Sequence, residues 1–498
     1  MKIKTLFILI CNLIISNLAI AQNITNTLGT SGVFTLKDNS TTYLSLSQST
    51  GYLSLDRSIT IPNTSASNLG VVFKGSNRFL HNYGTFNTFL GINSGNFTMT
   101  GQSNSALGFE ALFSNTTGSY NSAFGHFSLS YNNTGYRNSA FGYQSLYANT
   151  WGIWNSAFGY QSLYSNIDGH YNSAFGYQSL NTNTSGNYNS AFGMNSLNSN
   201  ISGNSNSAFG WYSLYSNSGG SSNSSFGNQS LSSNISGSQN TAIGYSSLFL
   251  NTTGSGNTAV GYNAMQNNSI GFQNTSVGHH SLQNNTGNYN TALGYNSGYT
   301  ITTGYNLTCL GIDAAPSSPT AVDQVTLGNI FVTSLRCNVQ TITSLSDARD
   351  KKNISELSLG LDFITKLHPR QFNWDKREWY DGNVSDGSKM KEEPTAGFIA
   401  QELDSAQTTA GAEWLNLVLK DNPDKWEATY GNLLPVMVKA IQELKAEKDK
   451  EIVELKSEND ELKNEIEALK KVNDKVAKLE QLINELTAVK NISLTENK

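Results

Sequence analysis

Residues 155–171 read N-S-A-F-G-Y-Q-S-L-Y-S-N-I-D-G-H-Y, and this pattern returns from about residue 85 to residue 300. The consensus unit is N-[ST]-A-[FLIV]-G-Y-x-S-L-x-x-N-x-x-G-x-x. Its first glycine marks a phase of 17 residues, with one final step of 16, at Gly108, Gly125, Gly142, Gly159, Gly176, Gly193, Gly210, Gly227, Gly244, Gly261, Gly278 and Gly294. A phase this strict argues against a disordered low-complexity tract.

A short fixed period indicates one structural unit per repeat, stacked on its neighbours. Seventeen residues are too few for a helix-turn-helix repeat, and the Ala-Phe-Gly-Tyr segment favours β structure. The region is therefore predicted to be a β-solenoid or β-roll stalk. We expect Phe158 and Leu163, with their equivalents in other repeats, to form two inward ladders. Aligned Asn and Ser side chains are expected to hydrogen-bond along the stack.

The remaining segments of the unit carry further local predictions. Asn-x-x-Gly is expected to form a tight turn in which glycine supplies a positive φ. Tyr-Gln-Ser-Leu is expected to form a single helical turn. Because each repeat has only one or two large apolar residues, we expect partner chains, as in a trimer, to close the core.

Charge divides the chain into two parts. Of the 67 Lys, Arg, Asp and Glu residues in the 498-residue chain, 53 lie from Ser346 onward. The net charge is -5, and no basic patch interleaved with aromatic residues is present. This composition excludes nucleic acid as an expected partner.

Residues 1–21 are typical of a secretory signal peptide, which predicts a secreted, extracellular or cell-surface protein. Met1-Lys-Ile-Lys4 is basic, an apolar run follows, and Ala19-Ile-Ala21 is a cleavage site that leaves Gln22 first. A transmembrane anchor is the alternative, but polar residues interrupt the run, and no later segment could span a bilayer. Whether Cys309 and Cys337 pair stays open.

The stalk contains few residues that could form a catalytic or metal site. Between Asp56 and Asp313 the only acidic residues are Glu110 and Asp168. They lie too many repeats apart for the paired carboxylates of a glycoside hydrolase. The histidines sit at irregular phases and are expected at the surface or in turns, namely His81, His126, His170, His279 and His280. No metal and no cofactor are therefore expected. Trp151, Trp154 and Trp211 could stack on sugars, so a cell-surface glycan or host surface is a candidate partner.

The border between the two parts reads Ser346-Asp-Ala-Arg-Asp-Lys351. A serine with a lysine close by at such a border suggests a chain that cuts itself there. Beyond Val325, short strands are predicted over 325–328 and 330–333, a helix over 359–367, a strand over 371–374 and a loop over 376–394. A strand leading into a helix follows over 396–403, and a final helix over 435–489.

Four ordered motifs carry a resemblance. They are S-D-x-R-x-K-x-N-I from Ser346, L-x-P-x-x-F-x-W from Leu367, G-F-I-A-Q-E-L from Gly397, and Y-x-N-L-L-P-V-x-x-x-A-I-Q-E-L from Tyr430. In this order they resemble the peptidase S74 family, an intramolecular chaperone and auto-processing domain at the C-terminus of phage tail spikes and endosialidases. The match covers about residues 344–445.

The resemblance implies a homotrimer whose C-terminal domain helps the stalk to fold and then cleaves itself off at Leu345–Ser346. It implies Ser346 as the nucleophile and Lys351 as its base, with Lys352 and Ser344 as rivals. Such a chain would be a single-turnover serine autoprotease with no external substrate. Two alternatives stay open: a surface protein that uses the domain only to trimerise, and a polysaccharide depolymerase.

The end of the chain predicts a coiled coil. Apolar residues and two asparagines step by three and four in an a/d heptad pattern, at Ile452, Leu455, Asn459, Leu462, Ile466, Leu469, Asn473 and Val476. The pattern itself does not decide between two and three strands, and the trimer follows from the family resemblance.

The expected fold is mainly β: a stalk, then a small α+β domain and an α-helical coiled coil, trimeric as a whole. The predicted domains are a signal peptide (1–21), an N-terminal β-rich region (22–84), the repeat stalk (85–300), a β connector (301–345), the S74-like domain (346–440) and the coiled coil (441–490).

Overall fold

A computed structural model describes residues 33–37, 42–47, 53–55, 59–65, 69–336 and 346–495. The predicted signal peptide, Cys337, Ser344 and Leu345 lie outside the described residues. The chain divides into two compact units, Met1–Asn206 and Ser207–Lys498. Its repeat region forms a β-solenoid of about 14 turns with about 17 residues per turn.

The first unit begins with antiparallel strands. β1 (Val33–Lys37), β2 (Thr42–Ser47) and β3 (Leu53–Leu55) form one sheet. β4 (Val72–Lys74) and β5 (Asn77–His81) form a hairpin, and β5 pairs antiparallel with β6 (Thr88–Leu90), the first solenoid strand.

His81 on β5 is buried, so the prediction of a surface or turn histidine is wrong there. Its Nε2 lies 2.8 Å from the carbonyl oxygen of Ser94. Burial lowers the pKa of His81 to about 4. The ring is therefore a neutral part of the interior at neutral pH.

Each solenoid turn contributes one three-residue strand, and successive strands pair parallel and in register, as Ala157 with Ala174. In the first unit the strands after β6 are β7 (Ser105–Leu107), β8 (Ser122–Phe124), β9 (Ser139–Phe141), β10 (Ser156–Phe158), β11 (Ser173–Phe175) and β12 (Ser190–Phe192). In the second unit they are β13 (Ser207–Phe209), β14 (Ser224–Phe226), β15 (Thr241–Ile243), β16 (Thr258–Val260), β17 (Thr275–Val277), β18 (Thr291–Leu293), β19 (Thr308–Leu310) and β20 (Val325–Leu327).

The interior holds the leucine ladder but not the phenylalanine ladder. Ala157 and Leu163 are fully buried, whereas Phe158 is only half-buried. Alternate side chains of a strand point to opposite faces, so alanine in the middle of the strand places its neighbour Phe158 outside. The phenylalanine rings stack on one another instead, with centroids 4.6 Å apart for Phe141 and Phe158. The predicted inward phenylalanine ladder is wrong.

Two ladders of buried asparagines run along the interior, as predicted. The Asn166 amide nitrogen donates to Asn149 Oδ1 at 2.7 Å and to the Gly169 carbonyl at 3.1 Å, and Asn166 Oδ1 accepts from Asn183 at 2.8 Å. In the second ladder Asn155 Oδ1 accepts the backbone N–H of Asn172. Buried amides require such partners, because an unpaired one costs about 1–3 kcal/mol.

The two glycines of the repeat have different roles. Gly159, at the phase position, has φ +136°, and a Cβ there would lie 2.4 Å from the Gly176 carbonyl oxygen. Gly169, in Asn-x-x-Gly, is not in the left-handed region, so the prediction of a positive φ at this glycine is wrong. It is required by close approach, since a Cβ would lie 2.3 Å from Asn166 Oδ1 and 2.6 Å from the Gly186 carbonyl oxygen.

Tyr-Gln-Ser-Leu forms no helical turn, contrary to the prediction. Gln161 and Leu163 both have φ +51°. This conformation costs about 1–2 kcal/mol per L-residue. It directs the Gln161 N–H to the Tyr143 carbonyl at 2.9 Å and the Leu163 N–H to the Ser179 carbonyl at 3.0 Å. Each of these two amides thus bonds to an adjacent turn.

A single chain closes the solenoid interior. In the turn that starts at Asn155, the buried side chains are Asn155, Ala157, Ser162, Leu163 and Asn166, each 0% exposed without any partner chain. The expectation that other chains must close the core is therefore wrong. Small residues and hydrogen-bonded amides fill the space that large apolar side chains fill in other folds.

The second unit continues into a small α+β module. Its elements are α1 (Leu361–Ile364), β21 (Arg370–Phe372), β22 (Thr395–Gly397), α2 (Ala400–Thr409), β23 (Val418–Leu419), β24 (Glu427–Ala428) and α3 (Leu434–Thr495). Short 3-10 turns occur at Ala348–Asp350, Arg377–Trp379, Asp381–Asn383, Glu413–Leu415 and Tyr430–Leu433. β21 pairs antiparallel with β22, and β23 with β24.

Two predicted elements of this region differ in the structure. The strand over 330–333 is a turn, because Asn329 accepts the Phe331 N–H at its side chain and the Val332 N–H at its carbonyl. The helix predicted over 359–367 is shorter in the structure and forms only α1. After α1 the Lys366 N–H bonds to the Phe363 carbonyl and the Leu367 N–H to the Ile364 carbonyl, each three residues back, which is a 3-10 pattern.

Alanine substitutions test the requirement for glycine at the phase position. Gly261 has φ +137° and no room for a Cβ, which would lie 2.4 Å from the Gly278 carbonyl oxygen. Gly261→Ala is expected to lower the free energy of unfolding by about 2 kcal/mol or more, measured by urea denaturation followed by circular dichroism.

Gly256→Ala is the matched control. Gly256 also has a positive φ, but the nearest atom to a Cβ is Gln273 Cγ at 3.3 Å, and other turns carry Ser222 or Gln239 at this position. We expect a change of less than about 1 kcal/mol. Equal losses for the two variants would contradict the close-contact explanation.

Candidate functional site

Ser346 and Lys351 flank a single 3-10 turn, Ala348–Asp350. The turn reverses the chain, and the Lys351 N–H closes it on the Ala348 carbonyl at 3.2 Å. The Lys351 Nζ then reaches back and donates a hydrogen bond to Ser346 Oγ. The spacing of five residues in S-D-x-R-x-K is therefore the spacing at which one tight turn brings hydroxyl and amine together.

Asp347 and Arg349 stabilise this turn. Asp347 Oδ1 caps it by accepting the Arg349 backbone N–H at 2.8 Å. The Arg349 guanidinium also pairs with Asp347 Oδ2 at 2.6 Å. These hydrogen bonds lower the pKa of Asp347. The Asp and Arg of the motif thus shape the turn, whereas the Ser and Lys at its ends face each other.

Residues 346–351 are all solvent-exposed in the single chain. A hydroxyl and an amine in hydrogen-bond contact can act as nucleophile and base, provided that the amine gives up its proton. Lys351, rather than Lys352, is the lysine that contacts Ser346. Leu345, on the other side of the predicted cleaved bond, lies outside the described residues, as does the rival nucleophile Ser344.

The apolar core of the module contains none of residues 346–351. It is built by α1, α2 and the start of α3, with the short strand pair between them. The buried members are Phe363, Leu367, Leu403, Ala412, Leu415, Leu417, Val418, Leu433 and Val436. The module therefore folds around its own core, and the Ser346 turn lies on its surface.

Polar contacts join parts of the module that lie far apart in the sequence. Glu443 on α3 accepts the Leu361 N–H at 2.7 Å, which caps α1, and a Cβ on Gly360 would collide with this carboxylate. Arg370 donates two hydrogen bonds to Glu402 on α2, at 2.8 and 3.0 Å. Glu402 and Glu443 stand at specified positions of the motifs, but no local pattern predicted their partners.

Tyr430 makes a further junction that sequence reasoning missed. Its hydroxyl accepts the Phe398 N–H at 3.1 Å and donates to the Phe398 carbonyl at 3.3 Å. Asn432 donates to the Leu415 carbonyl at 2.8 Å. Both residues lie in the Y-x-N-L-L-P motif, and a polar residue at a fixed place in an otherwise apolar motif was the available signal.

The C-terminal helix α3 is 62 residues long. Its predicted heptad residues are exposed in the single chain, with Leu462 at 55%, Ile466 at 51% and Leu469 at 64%. The Asn459 amide turns back to the Leu455 carbonyl at 3.1 Å. An apolar stripe along a helix of this length is thus left without a covering element among the described residues.

The stalk residues singled out by the sequence do not form a catalytic or metal centre. Glu110 and Asp168 lie more than three turns apart, on the order of 15 Å at ~4.8 Å per turn. Within the described ranges, no group of three or more His, Cys, Asp and Glu side chains is close enough to hold a metal ion. Cys309 is buried on β19, which raises the pKa of its thiol to about 11.

Trp154 and Trp211 make ring contacts within the stalk. Trp154 stacks on Tyr171 with ring centroids 6.2 Å apart, and the Arg137 guanidinium lies 4.4 Å from the Trp154 ring. Trp211 packs edge-on against Tyr212 at 4.5 Å. Trp151 is 55% exposed.

Comparison with known proteins places the C-terminal module. In the part of the chain that the structure describes, no helix has the length and apolar character needed to cross a membrane. No match was found among curated proteins or solved structures. Residues 346–412 match the model of the peptidase S74 family, described as chaperone of endosialidase, and the match begins at Ser346. The chain thus carries an S74 domain behind a repeat-built β-solenoid stalk.

Proposed function

We propose that this chain is the subunit of a secreted homotrimeric fibre or adhesin whose S74 domain assembles three copies and then cuts the Leu345–Ser346 bond. An S74 chaperone domain behind a β-solenoid stalk fits a fibre-like protein that trimerises. The observation that carries the self-cleavage is the hydrogen bond from Lys351 Nζ to Ser346 Oγ at the first residue of the matched domain.

The proposed reaction has two steps. Ser346 Oγ attacks the Leu345 carbonyl carbon, the C–N bond breaks, and an ester forms between the Leu345 acyl group and the Ser346 oxygen. A neutral Lys351 amine takes the hydroxyl proton and returns it to the leaving α-amine of Ser346. Water then hydrolyses the ester. Because nucleophile and scissile bond belong to one residue pair, the effective concentration is high and one turnover suffices.

The exposure of the pair supports coupling between cleavage and assembly. An ammonium in water keeps its proton, whereas burial favours the neutral amine that can act as a base. In the single chain nothing among the described residues shields Lys351, which is exposed. We propose that three modules pack around the Ser346 turn and exclude solvent from Lys351. Its amine can then act as the base, so that a chain cuts itself only after assembly.

The seam of α3 supports self-association. Ile452, Leu462 and Ile466 are about half exposed in one chain and repeat at a/d positions. Burying such side chains stabilises by roughly 1.5–3 kcal/mol each. The S74 match favours three strands, so α3 would hold three chains together.

The proposal that the protein is secreted is based on the signal-peptide pattern of residues 1–21. We propose a glycan or a host surface as its external partner. A non-cleaving protein that keeps the module for assembly is the second candidate, favoured only if the full-length chain persists. The depolymerase is not favoured, because Glu110 and Asp168 are too far apart to act on one bond.

The first prediction concerns the nucleophile. Wild-type protein is expected to give two fragments, one ending at Leu345 and one starting at Ser346, by intact mass spectrometry. Ser346→Ala should leave the full-length chain because the attacking oxygen is gone. Ser355→Ala, a nearby exposed serine outside the turn, should cleave normally. Normal cutting in Ser346→Ala would contradict the assignment.

The second prediction concerns the base. Lys351→Ala and Lys351→Arg should both slow cleavage by about a hundredfold or more, since arginine keeps the charge but does not release its proton. Lys352→Ala should cleave at nearly the wild-type rate. Sedimentation should show unchanged trimers in all of these variants. A stronger effect at Lys352 would transfer the role to that residue.

The third prediction concerns the seam. Ile466→Lys places a charge at an a position and should convert trimers to smaller species in sedimentation and slow cleavage with the Ser346 turn intact. Asn464→Lys introduces the same side chain at an outward f position and should do neither. Trimers that survive Ile466→Lys would show that α3 does not drive assembly.

A further inference from the structure

A column of exposed tyrosines follows the strand face of the solenoid. In the first unit it contains Tyr143, Tyr160 and Tyr177, which are 40%, 42% and 46% exposed. In the second unit the same repeat position holds Tyr245 and Tyr262, 45% and 46% exposed. From Tyr143 to Tyr177, three successive turns therefore each expose one tyrosine at the same repeat position.

Tyr160 has a tyrosine ring on each face, and Tyr143 lies between Tyr160 and the His126 ring. Tyr143 and Tyr160 lie 5.2 Å apart with an interplanar angle of 10°, and Tyr160 and Tyr177 lie 5.1 Å apart at 6°. A sugar cannot stack on a ring whose two faces are occupied. What each tyrosine offers to solvent is its edge, which carries the phenol hydroxyl.

These hydroxyls are available for an external partner. Within the described part of the chain, Tyr143, Tyr160 and Tyr177 make no hydrogen bond through their hydroxyls. Tyr147, in a different column, contrasts with them: a hydrogen bond that its hydroxyl donates to Tyr131, together with partial burial, raises the pKa of Tyr147 to about 12. Its hydroxyl is already used inside the protein.

The flanks of the column repeat as strictly as the column itself. Two residues before each tyrosine runs the stacked phenylalanine column, with Phe158 and Phe175 4.7 Å apart. One residue after it runs an amide ladder, in which Gln161 donates to Gln144 at 2.8 Å and Gln178 donates to Gln161 at 2.9 Å. Each turn thus presents an apolar edge, a hydroxyl and an amide side by side.

The strip is uncharged. From residue 138 to residue 194 the sequence contains a single charged side chain, Asp168. A polyanion would gain nothing from such a surface, because binding one depends on lysine and arginine. An uncharged polymer that offers hydroxyls and apolar C–H groups matches the strip in charge and in chemistry.

We infer that this strip, from Tyr143 to Tyr177, binds an extended neutral polysaccharide that lies along the solenoid axis with one sugar per turn. The turns repeat every ~4.8 Å, which is about the advance of one pyranose ring in a flat β-1,4-linked chain. Tyrosine hydroxyls and glutamine amides would bond the sugar hydroxyls, and the phenylalanine edges would meet the C–H groups. This inference deepens the proposed fibre function, on which it rests for an external partner, and it does not depend on self-cleavage.

Binding to β-1,4-linked polymers tests the inference. Wild-type protein is mixed with insoluble cellulose, chitin, xylan and mannan, and the soluble oligosaccharides of the bound polymer are then titrated by calorimetry. Affinity should rise with oligosaccharide length, because each added sugar reaches an equivalent turn. Acidic oligogalacturonides should not bind.

Tyrosine-to-phenylalanine variants separate recognition by ring edges from ring stacking. The double variant Tyr160→Phe and Tyr177→Phe keeps the stacked rings and removes two hydroxyls, so it should lose about tenfold in affinity with an unchanged melting temperature. Tyr147→Phe, the matched control, should bind as wild type.

Other outcomes overturn the inference. They are no binding to any of these polymers, wild-type affinity in the double variant, or tighter binding of the acidic oligosaccharides. Self-association that depends on protein concentration and is lost in the double variant would assign the strip to a second copy instead. A chain that trimerises and cleaves but binds none of the polymers would refute this inference and leave the proposed assembly intact.

Discussion

Each solenoid turn depends on its neighbours for the hydrogen bonds that its own residues cannot supply. The amide of Asn166 bonds to the turn before it and to its own turn, and its oxygen accepts from the turn after it. The backbone at Leu163 has a left-handed conformation, which is unfavourable by itself. The hydrogen bond from the Leu163 N–H to the Ser179 carbonyl offsets this cost. A turn in isolation would leave these groups unpaired, so the stalk is stable only as a stack.

This constraint explains why the sequence predicted the stalk only in part. The period, the parallel stacking and the asparagine ladders followed from the phase of one glycine and one asparagine. The direction of Phe158 did not, because a strand of three residues is too short to display its alternation. The interior between two asparagine ladders accepts only a small side chain at Ala157. Apolar character alone therefore predicted, wrongly, that Phe158 faces the interior.

In the module, sequence predicted the elements better than their contacts. Ser346 and Lys351 could be paired from spacing, since one turn joins them. The contact of Glu443 with Leu361 spans 82 positions, and the contact of Arg370 with Glu402 spans 32. No local pattern encodes such pairs. The polar residues within the motifs nevertheless marked where these junctions would occur.

The step of 16 residues between Gly278 and Gly294 shows where the stalk tolerates change. The missing residue lies at the corner after Asn285, whose amide reaches Gly287 two positions on, whereas Asn268 reaches Gly271 three positions on. The strands on either side keep their register, with Thr275 opposite Thr291 and Val277 opposite Leu293. Turns with the consensus residues present equivalent surfaces to their neighbours, as the in-register pairing of Ser156, Ser173 and Ser190 shows, so a gain or loss of one such repeat needs no new packing. The length of the solenoid can therefore evolve by gain or loss of whole repeats, in increments of ~4.8 Å.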